Sequence, residues 1–344
     1  AITLPDAVLP SQHLGDLHAV ESVALLERTV DDLLRLFDVR PRRVACDLHP
    51  DYASTRLAER LAATWGVPLV RVQHHHAHVA ACVAEHGLSG PLLGLAWDGA
   101  GLGTDGTLWG GEALLVDGPR WRRAAHLLPF QLPGGERAMR EPRRAALALL
   151  HATARADAVR WAARAFRAGE TEVLLAMLDA GRIPPRTTSV GRLFDGIAAL
   201  AGLCLRVSFE GQAALAVETA AGTLEATDAY PIPLDDGEPA VADWRPLVRA
   251  VWRDAEHGES PAVIAARFHA ALVDLAEACA LRSGAARVVL TGGCFQNLRL
   301  ARDVRARLEA RGLSVFTPRL LPPNDGGVAV GQAAIAAALG AGVG

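Results

Sequence analysis

Three short apolar runs in this chain end abruptly in residues that carry chemistry. "VPLVRVQH" (Val67–His74) runs into a cluster of histidines, and "PLLGLAWDG" (Pro91–Gly99) ends on an aspartate. "ARVVLTGGCFQN" (Ala286–Asn297) ends on two glycines and a polar amide. Apolar runs of about four to eight residues bounded by glycine or proline read as buried strands. Between them lie stretches with apolar residues at helical spacing: Val20–Phe37, Asp51–Gly66, His74 to Gly87, most of Arg137–Gly181, Leu193–Leu205 and Pro261–Arg282. Arg42–Leu48 reads as a further strand, and Thr107–Gly118 pairs with Pro91–Gly99 as a hairpin. "LSVFTPRLLPPNDGGVAVGQAAIAAAL" closes the chain as strand, proline-rich loop and helix. Ala220–Val251, with scattered Pro, Asp and Gly, reads as a variable surface excursion. Strands alternating with helices define an α/β fold. Such folds place ligand sites at the C-terminal ends of their strands.

Composition narrows the chemistry. A net charge of −3 lacks the basic surplus of a dedicated nucleic-acid binder. Every basic charge is arginine, since the chain holds no lysine. That excludes a Schiff-base lysine and a P-loop lysine. The cysteines Cys46, Cys82, Cys204, Cys279 and Cys294 are scattered, form no CxxC pair and read as reduced thiols. No stretch reaches about 18 clean apolar residues, and no basic-then-apolar leader opens the chain. The expectation is a cytoplasmic protein with no membrane contact. The first residue is Ala rather than Met, which reads as a processed or excised piece.

"VQHHHAHVAAC" puts four histidines in five positions. His74 and His78 are four apart, so on a helix they share one face with Cβ atoms about 5–6 Å apart. Two imidazoles so placed can converge on one cation, with oxygen donors needed from elsewhere. His75 and His76 point away by the same geometry. The competing reading is a polar helix start. "WDGAGLGTDGTLWGGE" (Trp97–Glu112) holds six glycines and three acids. It reads either as a backbone that approaches a ligand closely or as a mobile hairpin tip. Asp98 ends an apolar strand, where burying an acid is costly unless it meets a cation. Gly292 and Gly293 follow a strand and precede a helix, the setting of a nucleotide turn, though a double glycine there is common. In "PPNDGG", Asp325 is either a helix cap or a third metal ligand. Asp195 lies in an apolar helix, with Glu210, Gly211 and Gln212 one loop later; it is either a solvated residue or one facing a cleft.

Taken in order, "SQHLGDL", "ACDLHPDY", "VQHHHAH", "WGGE", "GRLFD", "FEGQAA", "GGCFQN" and "PPNDGG" resemble the hydrogenase maturation carbamoyltransferase family HypF, in its C-terminal TsaD-like part. The resemblance runs from about Ser11 to Ala334. It implies a two-lobed actin/Hsp70-like (ASKHA) nucleotide-binding fold with a central cleft. Residues 1–135 would form an N-terminal lobe with the His pair, and 136–344 a second lobe whose end closes the cleft. It implies a divalent metal (Fe, Zn, Mn or Mg) on His74, His78 and Asp325, with Asp98 as a further ligand. It implies an adenine nucleotide, ATP or carbamoyl-adenylate, held at Asp195, Gly211, Gly292, Gly293 and Asn297. The acylphosphatase, zinc-finger and YrdC-like modules of the complete family are not in this sequence, so the finished adenylate would come from elsewhere. The acceptor would be the terminal cysteine of a HypE-like partner, on the way to the cyanide ligands of a nickel-iron hydrogenase. Asp98 and Arg140 are the candidate catalytic residues, with Arg137 and Arg143 as further candidates for the anionic charge. Backbone N–H groups around Gly99–Gly103 or Gly292–Gly293 would add oxyanion stabilisation. The rival readings are a TsaD-type tRNA threonylcarbamoyl transferase and a metal-dependent nucleotide or carbamoyl phosphate hydrolase.

Overall fold

The computed structural model describes residues 1–17, 19–181, 186–226 and 228–341. Its centre is an eight-stranded mixed sheet. In spatial order its main path runs Ala240–Ala242, Arg120–Leu127, Leu108–Asp117, Leu92–Leu102, Arg287–Thr291 and Ser314–Phe316. Leu92–Leu102, Leu108–Asp117 and Arg120–Leu127 are antiparallel neighbours. Arg287–Thr291 joins Leu92–Leu102 in parallel, and Ser314–Phe316 joins Arg287–Thr291 in the same sense. Strands from both sides of position 135 therefore share this sheet. Beside it, Val44–Asp47 pairs in parallel with Leu69–Val72.

Three helices and their caps position the site. Val190–Leu200 is buried along its whole length apart from Gly191, and its first turn is capped by Ser189, whose hydroxyl accepts from the Arg192 N–H. Pro261–Ser283 begins with proline at its first turn and a Ser260 cap, and stops at Gly284 in a left-handed conformation. The histidine helix, His74–Glu85, is capped by Gln73, which accepts from His76 N–H at 2.9 Å. The closing helix, Val328–Ala341, crosses it so tightly that a Cβ on Gly331 would lie 1.8 Å from the Ala77 carbonyl oxygen. Glycine there brings the two helices, and the loop before the closing helix, into one site.

Three readings of the sequence need correction. Ala220–Val251 is no surface excursion: Ala240–Ala242 is a sheet strand parallel to Arg120–Leu127, and Trp244, Leu247, Val248 and Val251 are buried core. The Trp244 indole N–H donates to the Leu128 carbonyl at 2.6 Å. The strand Arg120–Leu127 went unread because Arg122 and Arg123 interrupt its apolar pattern. Arg123 is tolerated on the sheet because it pairs with the fully buried Glu112 at 2.5 Å and stacks 4.0 Å over Trp109. The helix read as Leu193–Leu205 begins earlier, at Val190, and ends at Leu200.

Candidate metal and nucleotide site

The parallel pair Val44–Asp47 and Leu69–Val72 sets Asp47 opposite Val72, one residue before the cap of the histidine helix. His74 and His78 emerge one turn apart on the same face and are buried. Asp98 comes from the other sheet. The pairing of Leu92–Leu102 breaks between Trp97 and Gly101, and Asp98 sits in that irregularity. Such a break re-aims side chains, and here the carboxylate meets the histidine helix. Asp325 arrives on the loop before the closing helix. Asn324 takes the capping role there, accepting from Gly326 N–H at 3.1 Å. Asp325 is thereby left to face the histidines.

The four side chains converge, with one donor atom from each all within 4.8 Å of one another. His74 Nε2 lies 3.3 Å from Asp98 Oδ2 and 3.4 Å from Asp325 Oδ1. His78 Nε2 lies 3.2 and 3.4 Å from the same two atoms. A tetrahedral set about 2.1 Å from a cation has donors about 3.4 Å apart. The spacing therefore fits a metal with little movement. Two carboxylates and two neutral imidazoles carry a charge that one divalent cation cancels, and a mixed nitrogen–oxygen set suits Fe, Mn or Zn.

Proton affinities follow the same geometry. Burial opposes charge on His74, yet hydrogen bonds to Asp325, Asp47 and Asp98 raise its pKa well above the usual value. His78 is raised likewise against its burial by Asp325 and Asp98. Burial would raise Asp98 and Asp325, but the two imidazoles hold both carboxyls below their ordinary range. Without a cation, protons between these groups do the same bridging; a metal releases them. His75 and His76 behave oppositely and point elsewhere. Burial pushes His75 well down, and it lowers His76 to about 4 against a bond to the Gly118 carbonyl.

The surrounding shell fixes these donors. His74 Nδ1 bonds Asp47 Oδ2 at 2.9 Å, which leaves Nε2 for the cluster. Asp47 was not singled out from the sequence. Its signal was an acid closing an apolar strand, the same signal as Asp98. Gly293 N–H donates to Asp98 Oδ1 at 3.0 Å. A Cβ on Gly292 would lie 2.3 Å from the Trp97 carbonyl oxygen, and one on Gly101 would strike the His74 and His75 rings at 2.7–2.8 Å. Close packing around Asp98 thus accounts for these glycines. The amides proposed for oxyanion stabilisation are partly taken: Gly103 N–H bonds Thr107, Gly292 N–H bonds Pro323, and Gly293 N–H bonds Asp98.

Next to the donors lies the Val190–Leu200 helix. Ser189 Oγ donates to the Asp98 carbonyl at 2.6 Å, and a Cβ on Gly191 would lie 2.9 Å from Gly99 Cα. Arg192 comes within ion-pair distance of Asp195, 2.9 Å, and a Cβ on Gly99 would lie 3.3 Å from Glu210 Oε1 and 3.8 Å from Arg192. Burial pushes Asp195 up to about 6, with Arg192 opposing. Arg192 was missed as a candidate because arginine in "GRLFD" carries no spacing signal. Gly211 starts the Gln212–Ala221 helix with φ 78°, a conformation glycine favours, and is exposed. Asn297 is engaged within the protein: its Oδ1 caps the Leu298–Ala310 helix, and its amide meets His269 Nε2 at 2.9 Å. Arg140 is exposed, and its guanidinium has no ion pair or hydrogen bond among the described residues. The structure does not bring it to the four donors.

Comparison with known proteins is consistent across sequence and structure. Residues 1–85 match the family model "HypF Kae1-like domain", and residues 94–332 match "Carbamoyltransferase, Kae1-like Domain, second subdomain". Carbamoyltransferase HypF of Synechocystis sp. is 41% identical over 96% of this chain and 45% of its own length. A HypF homologue of Cupriavidus necator is 42% identical over 96% of this chain and 86% of its own length. The crystal structure of full-length HypF in a phosphate- and nucleotide-bound form superposes with a TM-score of 0.88 at 35% identity, covering 95% of this chain and 43% of that one. HypF of T. kodakarensis superposes with a TM-score of 0.86 at 31% identity, over 96% of this chain and 45% of that one. The chain thus spans less than half the length of most of these relatives. The fold is the α/β, ASKHA-type fold of those Kae1-like domains. Among the described residues, no helix is long and apolar enough to cross a membrane.

Proposed function

Because this chain belongs to the HypF carbamoyltransferase family, we propose that it performs the carbamoyl-transfer step of [NiFe]-hydrogenase maturation. Carbamoyl-adenylate is the donor, and the terminal cysteine thiolate of a HypE-like protein is the acceptor. The observation that carries this reading is the convergence of His74, His78, Asp98 and Asp325.

In this reading the thiolate sulfur attacks the carbamoyl carbon. The new S–C bond forms as the C–O bond to phosphate breaks, and AMP leaves with the electron pair. His74, His78, Asp98 and Asp325 would hold a divalent cation, which would supply Lewis-acid stabilisation of the developing negative charge. The protein's own residues do the rest. Asp47 holds the His74 tautomer, and Gly293 N–H fixes the Asp98 carboxylate. This reading assigns the adenosine to the flank of the helix that carries Arg192 and Asp195, with Gly211 opening the next helix. Arg192, beside Gly99, is better placed than the exposed Arg140 to meet anionic charge. The nucleophile comes from outside. Burial raises Cys82 and Cys279 to about 12 and Cys294 well above its ordinary value, so none of these three forms a thiolate near neutrality.

The test mixes the full chain with pre-formed carbamoyl-adenylate, a divalent metal and HypE, and reads intact mass. One carbamoyl group is expected on the acceptor cysteine, and none with His74→Ala/His78→Ala. Equal transfer by both proteins overturns the metal role. Hydrolysis of the adenylate with an unmodified acceptor overturns the transfer role in favour of a hydrolase.

A further inference from the structure

A second polar concavity lies apart from the four-donor cluster. Arg137, Arg143, Arg164, Arg167 and Arg206 line a cavity of about 400 Å³. Its floor is rigid. Arg143 and Arg144 are both buried. Arg143 donates to the Ala165 carbonyl at 2.6 Å and stacks 4.3 Å over the Phe166 ring. Its walls are the exposed side chains of Arg137, Arg164, Arg167 and Arg206.

The charges do not balance. Glu141 is shared by Arg137 at 3.0 Å, Arg143 at 2.9 Å and Arg144 at 2.6 Å. Glu170 is shared by Arg144 at 2.5 Å, Arg143 at 3.4 Å and Arg137 at 3.8 Å. Arg164 pairs with Glu256 at 2.6 Å. Arg206 has only Glu141, at 3.9 Å, and the Arg167 guanidinium has no partner among the described residues. Five arginines thus line the cavity and one carboxylate, Glu170, lines it with them among the described residues. Crowding like charges in a concave site costs free energy unless an anion enters, and the same concavity focuses the field that attracts one.

We propose that this cavity binds a phosphoryl oxyanion, held by Arg137, Arg167 and Arg206 above the fixed floor of Arg143. Guanidinium forks bind phosphate in paired hydrogen bonds. A tetrahedral phosphoryl group presents oxygens to forks arriving from several directions, whereas a planar carboxylate presents two in one plane. A volume of about 400 Å³ accommodates more than one phosphoryl group and falls in the range of small-molecule sites. The site stands independently of the carbamoyl-transfer reading. Its cavity is separate in composition from the metal donors, though the loop bearing Arg206 also carries Glu210 to Gly99.

The test is calorimetric titration of the chelator-treated full chain with orthophosphate and with pyrophosphate at moderate salt. Pyrophosphate is expected to bind saturably, one per chain, and more tightly than orthophosphate. Arg167→Ala/Arg206→Ala is expected to weaken it at least tenfold, and His74→Ala/His78→Ala to leave it unchanged. Both arginines are exposed, so the variant should fold; Arg167→Gln alone, expected to weaken binding severalfold, serves if it does not. No saturable binding overturns the site. So does equal binding by the arginine variants, or loss of binding in the histidine variant, which would move the anion to the metal pocket. Polyglutamate binding more tightly than pyrophosphate, with the same arginine dependence, would also overturn it, since the cavity would then be a seat for an acidic protein segment.

Discussion

Asp98 and Asp195 are both buried, on elements that touch through Ser189 and Gly191, and their proton affinities move in opposite directions. Burial penalises the charged form of each. Asp98 overcomes it with a backbone N–H and two imidazoles, and its carboxyl is held well below the ordinary range. Asp195 has Arg192 at 2.9 Å, but its Oδ2 gains no well-directed hydrogen bond, and its pKa rises to about 6. Buried carboxylates are thus sorted by the number of aligned donors more than by depth. One region gathers negative charge in a set of donors that a cation could share. The other holds a buried acid whose charge is only partly met.

The largest expected effect comes from removing the charge in the first region. Asp98→Asn keeps the size of the side chain but deletes an anionic donor. Divalent-metal affinity should fall by more than about 100-fold, beyond what outer partners of a metal site usually cost. Calorimetric titration of the metal measures it. A loss under threefold would mean that Asp98 is not a ligand and that the contrast with Asp195 has no functional content.

In the second region the effect is on stability. Raising a carboxyl from 3.8 to about 6 costs on the order of 3 kcal/mol at pH 7. The sign is fixed by the direction of the shift. The stability tied to the neutral form is fully present below the unfolded pKa and is lost as pH rises through about 6. Asp195→Asn does not titrate, so it should gain on the wild type between pH 4 and pH 7.5, less whatever Arg192 loses as its partner. Denaturant unfolding at several pH values reads the gap. A gap that stays flat across that range would mean that Asp195 is ordinary in the folded state and that the two aspartates do not differ.

Part of this contrast was legible before the structure. Helical spacing put His74 and His78 on one face, and an acid in an apolar run marked Asp98, but both left a rival reading open; the family resemblance joined them with Asp325 as one ligand set. The α/β alternation fixed most elements to within a few residues. What was not legible was anything that depends on contact between distant segments. The strand Arg120–Leu127 went unread because what accommodates Arg123, its partner Glu112 and its platform Trp109, lies on a neighbouring strand. Ala220–Val251 looked like a loop because Pro, Asp and Gly mask a three-residue strand whose worth comes from pairing with Arg120–Leu127. Spacing also gave no sign that Gly292 and Gly293 pack against Trp97 and Asp98, or that the Asn297 amide bonds His269 and caps the next helix. Spacing along the chain reveals one face of one element; it does not reveal what packs on that face.

The smallest predicted effect sharpens the comparison most. Asp47 touches none of the other donors and acts on the cluster through His74 Nδ1, at 2.9 Å. Its other oxygen accepts from His49 N–H at 2.9 Å, so the carboxylate is held in place from both sides. Asp47→Asn can keep an oxygen toward Nδ1–H but loses the charge that makes Nε2 a better donor. Metal affinity should fall about tenfold, the lower end for a partner behind a ligand, while Asp195→Asn leaves it unchanged. The order of the three variants is the measurement. If Asp47→Asn costs as much as Asp98→Asn, the substituted amide has turned its NH2 toward Nδ1 and moved the ring proton to Nε2. The tautomer of His74, rather than the number of anionic donors, would then govern the site. If Asp195→Asn also weakens the metal, the two regions are one coupled unit and the sorting of their carboxylates is shared between them.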